Sequence, residues 1–218
     1  KKMTERVLRK ATTLKYKDGD EPFIEFPSSN THELLVFTDQ RQVYKCKVAQ
    51  FEDTKSAQLG SYLPTDLGMD PDESVIWVID PEDYKADVLF VFENGRVARV
   101  ALAGYVTKTN RKRLKNAIYG GSKLLFACVL KEDRDLALVS SDQRLINFNT
   151  SLLKTKTTNS TQGVQAFTAK NGRIVTMVGT AEEFLGGTAS VEKFRAASLP
   201  SSGSPMKETD MKSLFDLE

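Results

Sequence analysis

Basic side chains are unevenly distributed along this 218-residue chain, although its net charge is only +2. No acidic residue occurs between Asn94 and Lys131, and none occurs between Gln143 and Ala181. Lys and Arg side chains neutralise nucleic-acid phosphates and release counterions without reading the bases. A run of like charges is more often a solvated face, but two long runs in a nearly neutral chain favour a polyanion partner.

The densest group of candidate contacts is the loop 107–115, which combines Thr and Asn with Lys and Arg. The loop 154–159 repeats this Lys-Thr-rich character. The alternative for both loops is an exposed segment that only aids solubility. Further candidates lie on strands, where alternation with apolar residues predicts an exposed face. The predicted contacts are Lys45, Lys47, Arg96, Arg99, Lys108, Arg111, Lys112, Arg113, Lys115, Lys123, Lys154 and Lys156.

Residues suited to catalysis are few. His32 is the one histidine, and a single imidazole before a strand is more often structural than catalytic. Cys46 and Cys128 lack partners at metal-ligand spacing, and their apolar surroundings predict two buried thiols. The acidic residues of 66–87 are a weak Mg²⁺ signal, and solvated turns explain them better. We therefore expect no catalytic residue, no metal and no cofactor.

Short β-branched and aromatic runs separated by polar turns dominate the chain. Three such pairs predict β-hairpins at 34–48, 88–100 and 136–148. The second pair is joined through Asn94-Gly95, a dipeptide that strongly favours a tight hairpin turn.

A second kind of unit alternates with the hairpins, and its strand centres recur at intervals of 52, 49 and 49 residues. A period near 50 residues in an all-β sequence is typical of propeller-like blades. We therefore predict an all-β fold of four-stranded blades, about three complete and one partial at the N-terminus. The strand centres are Ile24, Ile76, Leu125 and Ile174, and the complete blades are Leu34–Ile79, Val88–Leu130 and Leu136–Val178.

The predicted domain organisation has a lead-in at 1–13, a blade domain at 14–199 and a flexible tail at 200–218. The tail is rich in Ser, Gly and Pro and then carries mixed charge. A strand predicted at Val191–Leu199 is a candidate to complete the partial blade. No apolar run approaches the roughly 20 residues that cross a bilayer, and the first ten residues lack a signal-peptide core, so we expect a cytoplasmic protein without a membrane partner.

The order of several motifs carries a resemblance to a known family. Asn30-Thr31-His32 precedes an apolar strand, a turn and Val43-Tyr44, and the second hairpin continues as an apolar strand, Asn-Gly, Val and a basic residue. The segment 159–164 is similar to an Asn-Thr-x-Gly-Val loop. Over roughly Leu14–Gly179 the chain resembles the C-terminal domain of the A subunit of bacterial gyrase and topoisomerase IV.

That resemblance implies a β-pinwheel, in which blades exchange strands and a basic rim bends or wraps duplex DNA. It implies a non-catalytic domain that presents DNA to the core of an ATP-dependent isomerase. The implied partners are double-stranded DNA, the ATPase subunit, and the catalytic core of the polypeptide that carries this domain, in a nucleoid-associated setting. The alternative is a propeller-like protein-interaction module that does not bind DNA and uses a disc face or the acidic edge 66–87.

Two features depart from the gyrase pattern. The basic, glycine-rich Gln-Arg-Arg-Gly-Gly-x-Gly box does not occur in this sequence, and there are fewer blades than is typical of gyrase. Both features favour topoisomerase IV or a gyrase-like relative, unless the box lies upstream of Lys1. Wrapping and bending, and a closed and an open disc, remain alternatives.

Overall fold

The computed structural model describes residues 23–52, 54, 60–109, 111–168, 170, 172–186 and 190–211. They form three four-stranded antiparallel sheets with few helices, so the predicted all-β blade fold is confirmed. The chain divides into two compact units rather than one blade domain over 14–199. The first contains residues up to Lys85 together with Tyr105–Ile118, and the second contains Ala86–Gly104 together with the residues from Tyr119 onward. Within these described ranges, no helix is long and apolar enough to cross a membrane.

The first unit is built on one sheet with the strand order β3-β1-β2-β6. Its hairpin buries apolar side chains on both faces, with Leu35, Val36 and Phe37 fully inaccessible. A short helix, α1, packs Leu63 and Leu67 against one of these faces. The bounds are β1 Glu33–Thr38, β2 Val43–Lys47, α1 Leu63–Leu67, β3 Val75–Ile79 and β6 Arg113–Leu114.

The second unit contains two sheets, with the orders β10-β5-β4-β7 and β11-β8-β9-β12. A shared apolar core joins them, in which Leu89 and Val97 of one sheet pack with Phe148 of the other. The bounds are β4 Asp87–Phe92, β5 Arg96–Ala101, β7 Leu124–Leu130, β8 Asp135–Ser140, β9 Arg144–Asn149, β10 Val164–Gln165, β11 Val175–Gly179, α2 Ala181–Phe184 and β12 Ser204–Pro205.

The three predicted hairpins are confirmed, and their turns share one backbone conformation. The last turn residue has a positive φ each time: +61° at Arg41, +79° at Gly95 and +55° at Gln143. Each of these residues donates its N–H to the carbonyl oxygen three residues earlier. A turn that ends in a left-handed residue matches the twist of the flanking strands. Glycine supplies that conformation without steric cost only in the second hairpin.

The fourth strand of every sheet comes from the repeat that follows it in the chain. β6 lies between β5 and β7 in sequence but pairs with β2. In the same way β10 pairs with β5, and β12 pairs with β9. We call β6, β10 and β12 the exchange arms. We predicted that each hairpin and its following unit form one complete blade, and this pairing is wrong for the arms. The strand exchange that the family resemblance implied is confirmed.

The C-terminal arm repeats the backbone contacts of β10 without a gap over twelve residues, 155–166 and 195–206. Lys156 donates its N–H to the carbonyl oxygen of Arg99 at 2.8 Å, and Ala196 donates to that of Asn147 at 2.8 Å. Gly163 and Gly203 precede the two arms with φ of +64° and +65°. The last repeat therefore keeps an exchange arm although it has no hairpin of its own.

Three expectations about the chain ends change. Val191–Phe194 is a 3-10 helix rather than the strand predicted over Val191–Leu199. Residues 200–211 are docked rather than flexible, because β12 extends the third sheet and Met206 is buried. The flexible-tail prediction for 212–218, the lead-in 1–13 and most of the partial blade Leu14–Phe26 lie outside the described residues.

Candidate nucleic-acid interface

The loop that leads into β6 lies along the edge of β2 in the first unit. The N–H of Lys45 donates to the carbonyl oxygen of Lys112 at 2.7 Å. At the other end of the loop, Lys45 Nζ donates to Thr107 Oγ1 at 3.4 Å, and that hydroxyl donates to the carbonyl oxygen of Thr109 at 2.7 Å. Both ends of the loop are therefore fixed to the same strand. Asn110, at its centre, lies outside the described residues.

Five predicted contacts remain exposed on or beside this loop. None of them forms an ion pair with another residue that the structure describes. A cation without an internal partner keeps its full charge available for a phosphate. We call this group the first basic edge, and it comprises Lys47, Lys108, Arg111, Lys112 and Lys115.

The second unit carries an equivalent loop along β5. The carbonyl oxygen of Lys156 accepts the N–H of Ala101 at 2.9 Å, and the Thr155 hydroxyl donates to Asp87 at 2.7 Å. The side chains of Lys154 and Lys156 are exposed. We call these two lysines the second basic edge.

The two remaining candidates of the second unit lie elsewhere on its first sheet. Lys123 precedes β7 and is exposed, whereas Arg96 begins β5 and is half-buried. The backbone of Lys123 pairs with the hairpin turn, because its carbonyl oxygen accepts the N–H of Glu93 at 2.9 Å. Neither residue belongs to the loop that forms the second basic edge.

Two predicted contacts on strands are engaged inside the protein. Lys45 is 9% exposed, and its Nζ lies 3.0 Å from a carboxylate oxygen of Glu33 and over the ring of Tyr84. Arg99 contacts Asp87 at 2.6 Å and Asp133 at 2.7 Å. The expected exposed-face position is therefore wrong for Lys45, and Arg99 is occupied by two carboxylates.

The carboxylates that hold these cations occupy one repeated position. Each hairpin begins with an acidic residue, and in every repeat a cation binds it. The third blade has Asn147 at the strand position of Lys45 and Arg99, so its cation comes instead from the neighbouring loop. Alignment of the three hairpins would have revealed this acidic position from the sequence. The pairs are Glu33 with Lys45, Asp87 with Arg99, and Asp135 with Arg195.

Arg113, the first residue of β6, is also engaged inside the first unit. Its Nη1 donates to Asp70 Oδ1 at 3.0 Å, and further hydrogen bonds reach Asp70 and Gln42. The guanidinium lies 5.4 Å from the ring centroid of Tyr44. The Arg113 guanidinium, followed by the Gln42 amide, holds the pKa of the Asp70 carboxyl below its usual range. Arg113 therefore anchors an exchange arm, and we do not include it in the proposed contact set.

Other acidic residues of 66–87 also have internal roles instead of forming the solvated turns that we predicted. Glu73 is 6% exposed and accepts hydrogen bonds from Thr38 and, at 2.8 Å, from the hydroxyl of Tyr44. Burial and this carboxylate raise the pKa of Tyr44 to about 12. Asp80 contacts His32 Nδ1 at 2.7 Å, which gives the imidazole a structural partner. The described residues contain no cluster of side chains suited to a metal.

The two cysteines offer no reactive site. Both are free thiols, in agreement with the prediction. Burial raises the pKa of Cys46 to about 12, and burial also raises the pKa of Cys128. A thiol with a raised pKa is protonated at neutral pH and is a poor nucleophile and metal ligand.

Three four-stranded sheets completed by exchange arms define a β-pinwheel, and comparison with known proteins supports the same class. No protein-family model matches the chain. Several curated sequences of the A component of DNA topoisomerase 4 from Staphylococcus aureus are 23% identical over 141 residues, which is 63% of this chain and 18% of the relative. The chain thus spans less than a fifth of the length of these relatives.

Solved structures give the same result. The E. coli ParC C-terminal domain superposes with a TM-score of 0.67 at 13% identity, over 92% of this chain and 87% of that domain. A C-terminal domain of DNA topoisomerase IV gives 0.63 at 22% identity, over 80% and 55%. A DNA gyrase A C-terminal domain gives 0.57 at 16% identity, over 91% and 69%. The chain therefore has the β-pinwheel fold of these C-terminal domains, and the family resemblance is confirmed.

Proposed function

We propose that this chain is the non-catalytic, duplex-DNA-binding domain of the A subunit of a type IIA topoisomerase. The observation that carries the proposal is the first basic edge, where five exposed cations lie together without internal partners. Acidic residues of the same unit, including Asp70, Glu73 and Asp80, are held in internal contacts. The net local field at this edge therefore favours a polyanion.

The expected mode of binding is recognition of the phosphate backbone. Lys and Arg side chains fix the protein on the duplex but carry little sequence information. The function follows as bending or wrapping of DNA and its presentation to the catalytic core of an ATP-dependent isomerase. The partners would be the ATPase subunit, and the catalytic core that precedes this domain in the same polypeptide, in the cytoplasm at the nucleoid.

Titration of labelled duplex DNA with the protein at several salt concentrations tests the DNA-binding proposal. If about five phosphates are contacted, the logarithm of the association constant falls with the logarithm of salt concentration at a slope of about −4 to −5. Duplexes of unrelated sequence should bind with similar affinity. An association constant that does not respond to salt would exclude phosphate neutralisation as the basis of binding.

Ligation of relaxed circular DNA around the bound protein separates wrapping from bending. A change in linking number after removal of the protein indicates wrapping, whereas faster circularisation of short fragments without such a change indicates bending. The absence of both effects would restrict the proposal to simple binding.

The alternative of a protein-interaction module has less support at the acidic edge. Asp70, Asp83 and Asp87 all form ion pairs within the chain, so that edge offers few unpaired carboxylates to a basic partner. The lysines and arginines of the first basic edge are the larger available charge.

A further inference from the structure

Asp70 occupies an unexpected place for an acidic residue in a unit proposed to bind DNA. Its carboxylate meets Arg113 at the start of β6 and accepts a hydrogen bond from the Gln42 amide at 3.1 Å. Its backbone N–H donates to the buried Glu73 carboxylate at 3.0 Å. Asp70 therefore links the hairpin, the turn before β3 and the exchange arm.

The exchange arm β6 has little else to hold it. It pairs with β2 over only two residues, Leu114 with Val43 and Arg113 with Tyr44. A two-residue ladder contributes few hydrogen bonds, each worth about 1 kcal/mol net. The position of the arm therefore depends strongly on side-chain contacts, and the most extensive of these is made by Arg113.

The first basic edge is directly continuous with this arm. Arg111 and Lys112 immediately precede Arg113 in the chain, and Lys115 follows two residues later. The opposite end of the loop is held through Thr107 by Lys45. Release of the Arg113 end would leave the intervening cations tethered to β2 from one side only.

We propose that Asp70 and Arg113 form a latch that positions the first basic edge for DNA. Asp70 is in this view a positioning residue, which favours DNA binding even though its own charge repels phosphate. The inference rests on the proposed DNA-binding function. It makes a prediction of opposite sign to simple electrostatics.

Substitution Asp70→Asn tests the latch, with Asp66→Asn as the matched control. Asp66 is exposed on α1 in the same unit and forms no ion pair with a described residue, so its substitution removes the same charge without touching the arm. Electrostatics alone predicts that both variants bind duplex DNA slightly more tightly, by less than about two-fold. The latch predicts that D70N weakens binding by about three-fold or more while D66N does not.

Hydrogen exchange of the Lys45 amide supplies a readout that does not depend on DNA. That N–H donates to the carbonyl oxygen of Lys112, so its protection reports whether the arm is docked. We expect faster exchange in D70N and in Arg113→Gln, and unchanged exchange in D66N. Thermal unfolding of each variant confirms that the comparison is made on folded protein.

The outcomes separate the latch from the function on which it rests. Loss of Lys45 protection together with weaker DNA binding in D70N supports the proposal. Unchanged protection in D70N overturns the latch, whatever the DNA affinity. Lost protection with DNA binding as tight as in D66N overturns the positioning role. If the wild-type chain binds no DNA, the proposed function fails, and the exchange rates alone decide whether the latch exists.

Discussion

The basic residues of this chain fall into two groups that charge alone does not separate. Arg99 lies inside a long acid-free stretch, yet its partners Asp87 and Asp133 lie just beyond the two ends of that stretch. Antiparallel pairing of β4 with β5 brings Asp87 diagonally next to Arg99. A charge run read along the sequence therefore overestimates the cations available to a partner, because cross-strand neighbours are absent from it.

Substitution of Arg99 and of Lys156 should have opposite consequences. Arg99→Gln leaves two carboxylates without their cation in a largely covered site, so we expect a loss of about 1–3 kcal/mol in the free energy of unfolding. Lys156→Gln removes an exposed side chain and should change stability by less than about 0.5 kcal/mol, while it weakens DNA binding. Urea unfolding and DNA titration of both variants measure the difference. Equal losses of stability would contradict the division into two groups.

The carboxyl of Asp142 should contribute stability that depends on pH. Arg173, followed by the hydroxyl of Ser140, holds the pKa of Asp142 below its usual range. A pKa lowered by folding adds stability above the unfolded value of about 3.9, and that stability is lost as pH falls through the folded value. Asp142→Asn should therefore destabilise the protein at pH 7, by an amount that shrinks below about pH 4. Unfolding measured from pH 7 to pH 2.5 checks this, and a difference independent of pH would contradict it.

At the scale of elements, the hairpins were predictable and the exchange arms were not. Each hairpin joins two apolar runs that are close in sequence, and in the second hairpin Asn94-Gly95 marks the turn chemically. β6 and β10 are two residues long and pair with the previous repeat. Neither length nor partner leaves a local periodic signal, so we assigned each arm to the wrong blade.

Short apolar runs were the second source of error. Val191–Leu199 contains apolar and polar residues in an order compatible with a strand, but Val191–Phe194 forms a 3-10 helix that buries Phe194. The structure instead uses Ser204–Pro205 as the strand, which the composition of a Ser-, Gly- and Pro-rich segment disfavours. Backbone pairing with β9 overrides this weak intrinsic preference.

The glycine before an exchange arm should be far less replaceable than a glycine in an open turn. Gly163 has φ +64°, and a Cβ there would lie 2.1 Å from the carbonyl oxygen of Val97. Gly172 has φ +71° but nothing within 4 Å of a Cβ. Gly172→Ala should cost about 1 kcal/mol of unfolding free energy from backbone strain alone. Gly163→Ala should cost at least about 2 kcal/mol more, because β10 must move off β5.

Urea unfolding of the two alanine variants measures this difference. The positive φ is common to both sites, so the excess loss in Gly163→Ala reports the close approach of the arm to β5. Equal losses in the two variants would show that the glycine serves only the backbone conformation and that the arm is not tightly packed there.

For the molecule as a whole, charge balance and charge placement lead to different conclusions. A net charge of +2 is unremarkable, but acids and bases are sorted. Carboxylates such as Asp70 and Glu73 hold strands together, whereas Lys108, Arg111 and Lys112 extend from an arm loop. The β-pinwheel fold explains this sorting, because each exchanged arm needs polar anchors inside and leaves its connecting loop outside.

The central claim is that the first basic edge binds duplex DNA, and one comparison tests it most directly. The variant Lys108→Gln/Arg111→Gln/Lys112→Gln removes three cations from that edge. A control, Lys85→Gln/Lys170→Gln/Lys207→Gln, removes three exposed cations outside both basic edges. The two variants have the same net charge, so long-range attraction is matched between them.

The measurement is the salt dependence of duplex binding by the wild type and both variants. We predict that the edge variant loses about three units of log–log slope and binds at least about ten-fold more weakly in low salt, while the control keeps most of the wild-type slope. Equal slopes in the two variants would contradict the account, because binding would then depend on total charge and not on the first basic edge.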